Sequence, residues 1–226
     1  MGNQDTTTEY HSTYNDPRDE VVIRSSDNIH FRASRHKLMR VSTFFKDILD
    51  IRPVDHSEPI PLEFTSEVII IFLDAISTST VQIPYLEVKT AKSLLNLCNF
   101  LMSDSIQSSV TDKVIEIYLS VPFELLEIAS SVNDVTLAQK ALSAFDTNIV
   151  RFRLIPDSSD NFKSVGMDQL LDYLKRLRPS FQLSILHELL KPGQLFPNHK
   201  SIDRLVFVME IDWKSLSDSF DPSQFE

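Results

Sequence analysis

Residues Glu20–Leu49, EVVIRSSDNIHFRASRHKLMRVSTFFKDIL, change their hydrophobic period midway, and that change decides the fold class. Val21, Val22 and Ile23 form a β-branched run, and Ile29, Phe31 and Ala33 alternate with His30 and Arg32. Ser26, Asp27 and Asn28 between them are turn formers, so the two runs predict a β-hairpin. From Leu38 the apolar positions step by three and four through Val41, Phe44, Phe45, Ile48 and Leu49, the spacing of an amphipathic helix.

Working outward, Pro53, Pro59 and Pro61 interrupt the chain and leave room for only a short edge strand at Ile60–Leu62. Thr65 or Ser66 is placed to cap a helix carrying Val68, Ile69, Phe72, Leu73 and Ile76, with Phe64 as a staple onto Ile69. Val81–Ile83 predicts a second brief strand, ended by Pro84. Helices then follow along Val88–Met102 and Val110–Tyr118. Beyond them Pro122 suits a first helical position, and Val135, Ala138, Leu142, Phe145 and Ile149 step behind a cap at Asn133 or Asp134. Residues 151–165 read as a loop, Met167–Leu177 and Phe181–Leu190 as helices, and 202–213 as either helix or strand.

The predicted organisation is therefore α+β: a disordered tail over 1–18, a mixed domain over 19–119, an all-helical extension over 120–216, and a frayed end over 217–226. The tail is polar, carries three consecutive threonines and lacks apolar periodicity.

Composition narrows the function. Only three glycines occur (Gly2, Gly166, Gly193), too few for a phosphate loop, nucleophile elbow or glycine-rich cofactor turn. A net charge of −10 without a basic run opposes nucleic-acid binding, which depends on clustered Lys and Arg. One cysteine fits a reducing compartment, and neither a membrane-length apolar stretch nor an apolar leader is present. The expectation is an intracellular protein, cytoplasmic or nuclear, without membrane or nucleic-acid partners. His11, His30, His36, His56, His187 and His199 lack the spacing of a zinc site. Cys98 falls on an apolar helix face, and Asp47 and Asp50 read as a solvated face. No catalytic, cofactor-binding or metal-binding residue is predicted, and no cofactor.

Val21, Val22, Phe31, Leu38, Ser42, Phe45, Ile48 and Leu49 fill positions that resemble the opening of the BTB/POZ fold. That family usually shows Asp, Val and an apolar residue, then Phe-x-x-His-Lys-x-x-Leu, then Ser-x-x-Phe and a terminal pair. Leu73–Ile83 is similar to its helix end, turn and strand, and Leu94–Ile106 to its next helix. Phe123–Phe145 and Leu170–Leu190 resemble the helical extension of the BTB proteins of mushroom-forming fungi. Glu20 stands where the family has Asp, Ser34-Arg35 where it has His-Lys, and Ser77 where it has tyrosine.

The resemblance implies a small mixed sheet flanked by helices and a non-catalytic protein-interaction module. It implies self-association as a homodimer, or an adaptor role toward a cullin ubiquitin ligase or a transcriptional or signalling complex. It also assigns Glu20 and Arg35 to a partner or dimer interface, since acid and base at these positions often pair beside the family's dimer pocket. Residues 1–18 lack the apolar helix through which many relatives dimerise. The apolar-x-Glu motif of cullin binders is represented only by His56-Ser57-Glu58, without its apolar residue. The competing reading is an enzyme of unfamiliar type with a pocket between the two halves.

Overall fold

A computed structural model describes residues 9–51, 58–78, 83–147, 151–153, 164–191, 195–197 and 208–226. The chain is α+β and divides into two compact units, Met1–Lys113 and Val114–Glu226. Among the described residues no helix is long and apolar enough to cross a membrane.

In the first unit, β1 (Val21–Arg24) and β2 (His30–Ala33) form the predicted antiparallel hairpin, with Val21 opposite Ala33 and Ile23 opposite Phe31. Asn28 closes its turn in the left-handed region at φ 64°, a conformation asparagine tolerates better than most residues. The strand β3 (Ile60–Pro61) pairs parallel to β1 through Ile23 and Ile60, giving the order β2-β1-β3. Val21, Ile23, Phe31 and Ala33 share one face by their alternation, and all four are buried. The other buried side chains of this unit belong mainly to α1 (Arg35–Val41), α2 (Thr43–Ile51), α3 (Ser66–Ser77) and α4 (Val88–Phe100). The predicted strand over Val81–Ile83 falls largely outside the described residues, and Ile83 lies in no strand.

The start of α3 is capped from a distance. Thr65 makes no side-chain cap hydrogen bond. Instead the Ser66 backbone N–H and hydroxyl both donate to the Asp27 carboxylate in the hairpin turn, at 2.8 and 2.6 Å. Partial desolvation favours the neutral acid, but the Ser66 bonds and a Ser25 bond outweigh it and hold the Asp27 carboxyl below its ordinary value. Asp27→Ala should therefore cost about 1 kcal/mol at neutral pH, the usual loss for a helix cap. The shift is downward, so the contribution is full above the unfolded carboxylate pKa of about 3.9 and fades as pH falls through the folded value. Urea unfolding of both proteins at pH 7 and pH 3 checks this. A difference that fails to shrink at the lower pH would contradict it.

Two expectations about the ends of the chain need correction. The disordered tail predicted over 1–18 is ordered from residue 9: Tyr10 forms a parallel bridge with His30 on β2, and His11 stacks on Phe31 at 5.3 Å. The Tyr14 hydroxyl donates to Asp74 on α3, and partial burial followed by that carboxylate pushes the phenol pKa above its ordinary value. The frayed end predicted over 217–226 packs as well. It contains the end of a helix, α10 (Trp213–Ser219), and a 3-10 turn (Pro222–Phe225), with Phe220 and Pro222 buried.

The second unit is mainly helical, as expected, with α6 (Pro122–Val132), α7 (Val135–Thr147), α8 (Met167–Leu174) and α9 (Pro179–Leu189) following α5 (Asp104–Tyr118), within whose sequence the boundary between the units falls. Asn133 ends α6 in the left-handed conformation, and the Asp134 carboxylate accepts the Leu137 N–H at the start of α7. It is not all-helical, however. The strands β4 (Arg151–Arg153), β5 (Ser164–Gly166), β6 (Leu195–Pro197) and β7 (Val208–Ile211) pair in the order β5-β4-β7-β6. Each strand is only three or four residues long, too short to display an alternating pattern in the sequence. The ambiguous stretch 202–213 resolves into β7 and the start of α10 over its described part.

Candidate protein-interaction face

The single helix predicted over Leu38–Leu49 is broken at Ser42, and the break builds the most distinctive surface of the first unit. Ser42 is buried; its N–H closes α1 on the Leu38 carbonyl, and its hydroxyl caps α2 by accepting the Phe45 N–H at 3.1 Å. The same hydroxyl donates to the Leu101 carbonyl at 2.5 Å, just past the end of α4. Thr43 and Phe44 point their N–H groups at the Met102 and Leu101 carbonyls, both at 3.4 Å. The positive end of α2 thus meets the negative end of α4, a favourable head-to-tail contact of helix dipoles.

Met102 completes this junction at φ 49°, a left-handed position that glycine usually fills at a helix end. Met102 is 54% exposed. Phe100, in the last turn of α4, is 48% exposed, and its ring lies 4.9 Å from Phe44 and 6.1 Å from Phe64. Along α2, Phe44, Ile48 and Ile51 follow at spacings of four and three, so they share one side of the helix; Ile51 is 84% exposed. Phe45 and Leu49, on the neighbouring side, are buried. The first unit therefore holds at its surface a cluster of three aromatic rings in which Phe100 meets both Phe44 and Phe64, continued by the aliphatic side of α2. Asp47, Asp50, Glu63 and Asp104, all exposed, flank these residues in the chain.

Glu20 and Arg35 are placed differently from the residues of this cluster. The β1–β2 register brings Glu20 and Ser34 to the open end of the hairpin, next to Arg35 at the start of α1. Glu20 is exposed. Arg35 is half-buried, and its guanidinium donates to the Leu49 carbonyl in the last turn of α2. That bond satisfies a carbonyl with no partner inside the helix and sets a cation at the negative helix end.

For the groups weighed as chemistry, the geometry favours packing. Cys98 is fully buried, and desolvation pushes its thiol pKa up to about 12, so almost no thiolate forms at neutral pH. Among the described residues no group of His, Cys, Asp and Glu is arranged to hold a metal ion. His56 and Ser57 of the cullin-motif comparison lie outside the described residues, as does His199.

The sequence reading set Phe44 and Ile48 in the apolar spacing of one amphipathic helix, without separating them from Phe45 and Leu49, and overlooked Phe100. The signal was present: Phe44 and Phe45 are adjacent, and adjacent helical residues point about 100° apart, so both cannot face the same core. The chain matches no model of a known protein family and no curated protein.

Proposed function

We propose that this protein is a non-catalytic interaction module whose N-terminal unit is BTB/POZ-like, and that it binds a protein partner through the Phe44–Phe64–Phe100 face. The observation that carries the reading is the half-exposed Phe100 ring between Phe44 and Phe64. Isolated exposed apolar residues are ordinary, whereas contiguous apolar surface marks a binding site. Aromatic side chains also dominate the energetics of protein interfaces. The small mixed sheet β2-β1-β3 with helices around it is the coarse arrangement that the resemblance implies, and it supports the reading. With carboxylates at Asp47, Asp50, Glu63 and Asp104, the complementary surface is an apolar patch with a basic rim. A cullin ligase or a transcriptional or signalling assembly is a setting in which such a module acts, and the fit is intracellular. The interface role of Glu20 and Arg35 is less favoured than the aromatic face, because Arg35 is already committed to α2.

The test is quantitative affinity purification with the wild type and Phe100→Asp, each first checked for an unchanged circular-dichroism spectrum. Specific partners should be depleted about tenfold or more from the variant, as expected when an interface anchor worth over 1.4 kcal/mol is lost. Equal recovery by the two proteins would remove the face from the binding account.

A further inference from the structure

The outer edge of β2 is covered by the chain's own N-terminal segment, and the cover is incomplete. The His30 N–H donates to the Glu9 carbonyl, the His11 N–H to the His30 carbonyl and the Arg32 N–H to the Tyr14 carbonyl, each at 2.8 Å. Between these contacts the segment turns away, with Ser12 and Thr13 exposed. Tyr10 lies over the other face of β2, its ring 5.6 Å from His30 and 5.1 Å from the Arg32 guanidinium carbon. Beneath that cover His30 Nδ1 and Arg32 Nε are buried, and neither has a hydrogen-bond partner among the described residues. Buried polar atoms without partners oppose the arrangement that buries them. The segment satisfies the strand edge, while one side-chain nitrogen on each of His30 and Arg32 is left without a hydrogen-bond partner among the described residues.

We propose that residues 9–14 are a displaceable cover over a peptide-binding edge, and that the edge takes an extended segment of a partner protein bearing acidic side chains at alternate positions. Main-chain pairing to His30 and Arg32 would replace the bonds now made by Glu9, His11 and Tyr14. The alternation of a strand carries every second side chain to the face that bears His30 and Arg32, where the β1–β2 register also sets Arg24 opposite His30. A carboxylate there supplies the acceptor that Arg32 Nε lacks. The cationic character of this face runs against the chain's net charge of −10, which suits an acidic ligand rather than a basic one. The site is separate from the aromatic face and does not depend on it.

The probe is a fluorescein-labelled peptide, Ser-Val-Glu-Val-Glu-Val-Ser, compared with the same peptide carrying glutamine for glutamate. Tyr14→Phe removes the hydroxyl anchor on Asp74 with little change of shape. It should raise affinity for the glutamate peptide about tenfold over wild type, because a competing cover lowers the binding-competent fraction. The glutamine peptide should bind about tenfold more weakly to that variant, through loss of charge-assisted bonds. Hydrogen exchange at the His30 and Arg32 amides should quicken in Tyr14→Phe and slow again on adding peptide. Equal affinity of wild type and variant, or equal binding of the two peptides, would overturn the proposal. So would dimerisation of Tyr14→Phe by light scattering without peptide, which would make a second copy the occupant.

Discussion

Phe31→Ala should destabilise the N-terminal unit by about 3–5 kcal/mol, the range for removing a fully buried aromatic side chain. Phe31 has no exposed surface, and its backbone pairs with Ile23 in the hairpin. The His11 ring stacks on it at 5.3 Å and the Tyr14 ring lies 6.3 Å away, so the substitution also loosens the N-terminal segment from beneath. Tyr14→Phe keeps that packing and gives up only the hydroxyl bond to Asp74. It should cost about 1.5 kcal/mol, the lower end for a bond to a charged acceptor. Urea unfolding of the three proteins measures both differences. A loss below about 1 kcal/mol for Phe31→Ala would show that the segment and the hairpin do not share a core, since a cavity of that size cannot be so cheap.

Phe220→Ala should cost a similar 3–5 kcal/mol in the second unit. The Phe220 ring is buried and meets Phe181 edge-on at 5.4 Å, and its carbonyl accepts from the Gln139 side chain at 3.3 Å. Around it the Ser217 hydroxyl donates to the Gln139 carbonyl at 2.7 Å, and the Ser219 hydroxyl to the buried Glu188 carboxylate at 2.7 Å. Lys191 donates to that carboxylate too, at 2.5 Å. Burial favours the neutral acid, yet the Lys191 and Ser219 bonds prevail and hold the Glu188 carboxyl below its ordinary range. A frayed end would behave otherwise. Substitution at an exposed, loose position stays within about 0.5 kcal/mol. Thermal or urea unfolding of Phe220→Ala separates the two cases cleanly.

These two residues also show where the sequence was legible. The hairpin and the helices after it follow from periodicity, because Phe31 alternates with polar neighbours and Leu38 begins a clear 3–4 spacing. Tyr10, His11 and Tyr14 gave no such signal. They pack one ring at a time against β2 and α3, inside a segment of polar composition, and only the tertiary fold supplies their partners. At the other end the spacing of Trp213, Leu216 and Phe220 was readable as a helix face, but the surrounding Ser and Asp residues masked it. The break at Ser42 was hidden because apolar spacing continues through it, while its cause is the distant Leu101 carbonyl. Arg35 illustrates the same limit, since its acceptor on Leu49 lies fourteen residues away and is set by helix packing.

Site-directed photocrosslinking decides whether the aromatic face meets a protein partner. A benzophenone-bearing amino acid would replace Phe100 in one protein and Leu183, on α9, in another; the two positions are equally exposed at 48%. On irradiation with native extract, position 100 should yield a discrete crosslinked partner that Phe44→Asp in the same chain abolishes. Position 183 should yield none. Crosslinks at equal yield from both positions, or from position 183 alone, would contradict the account.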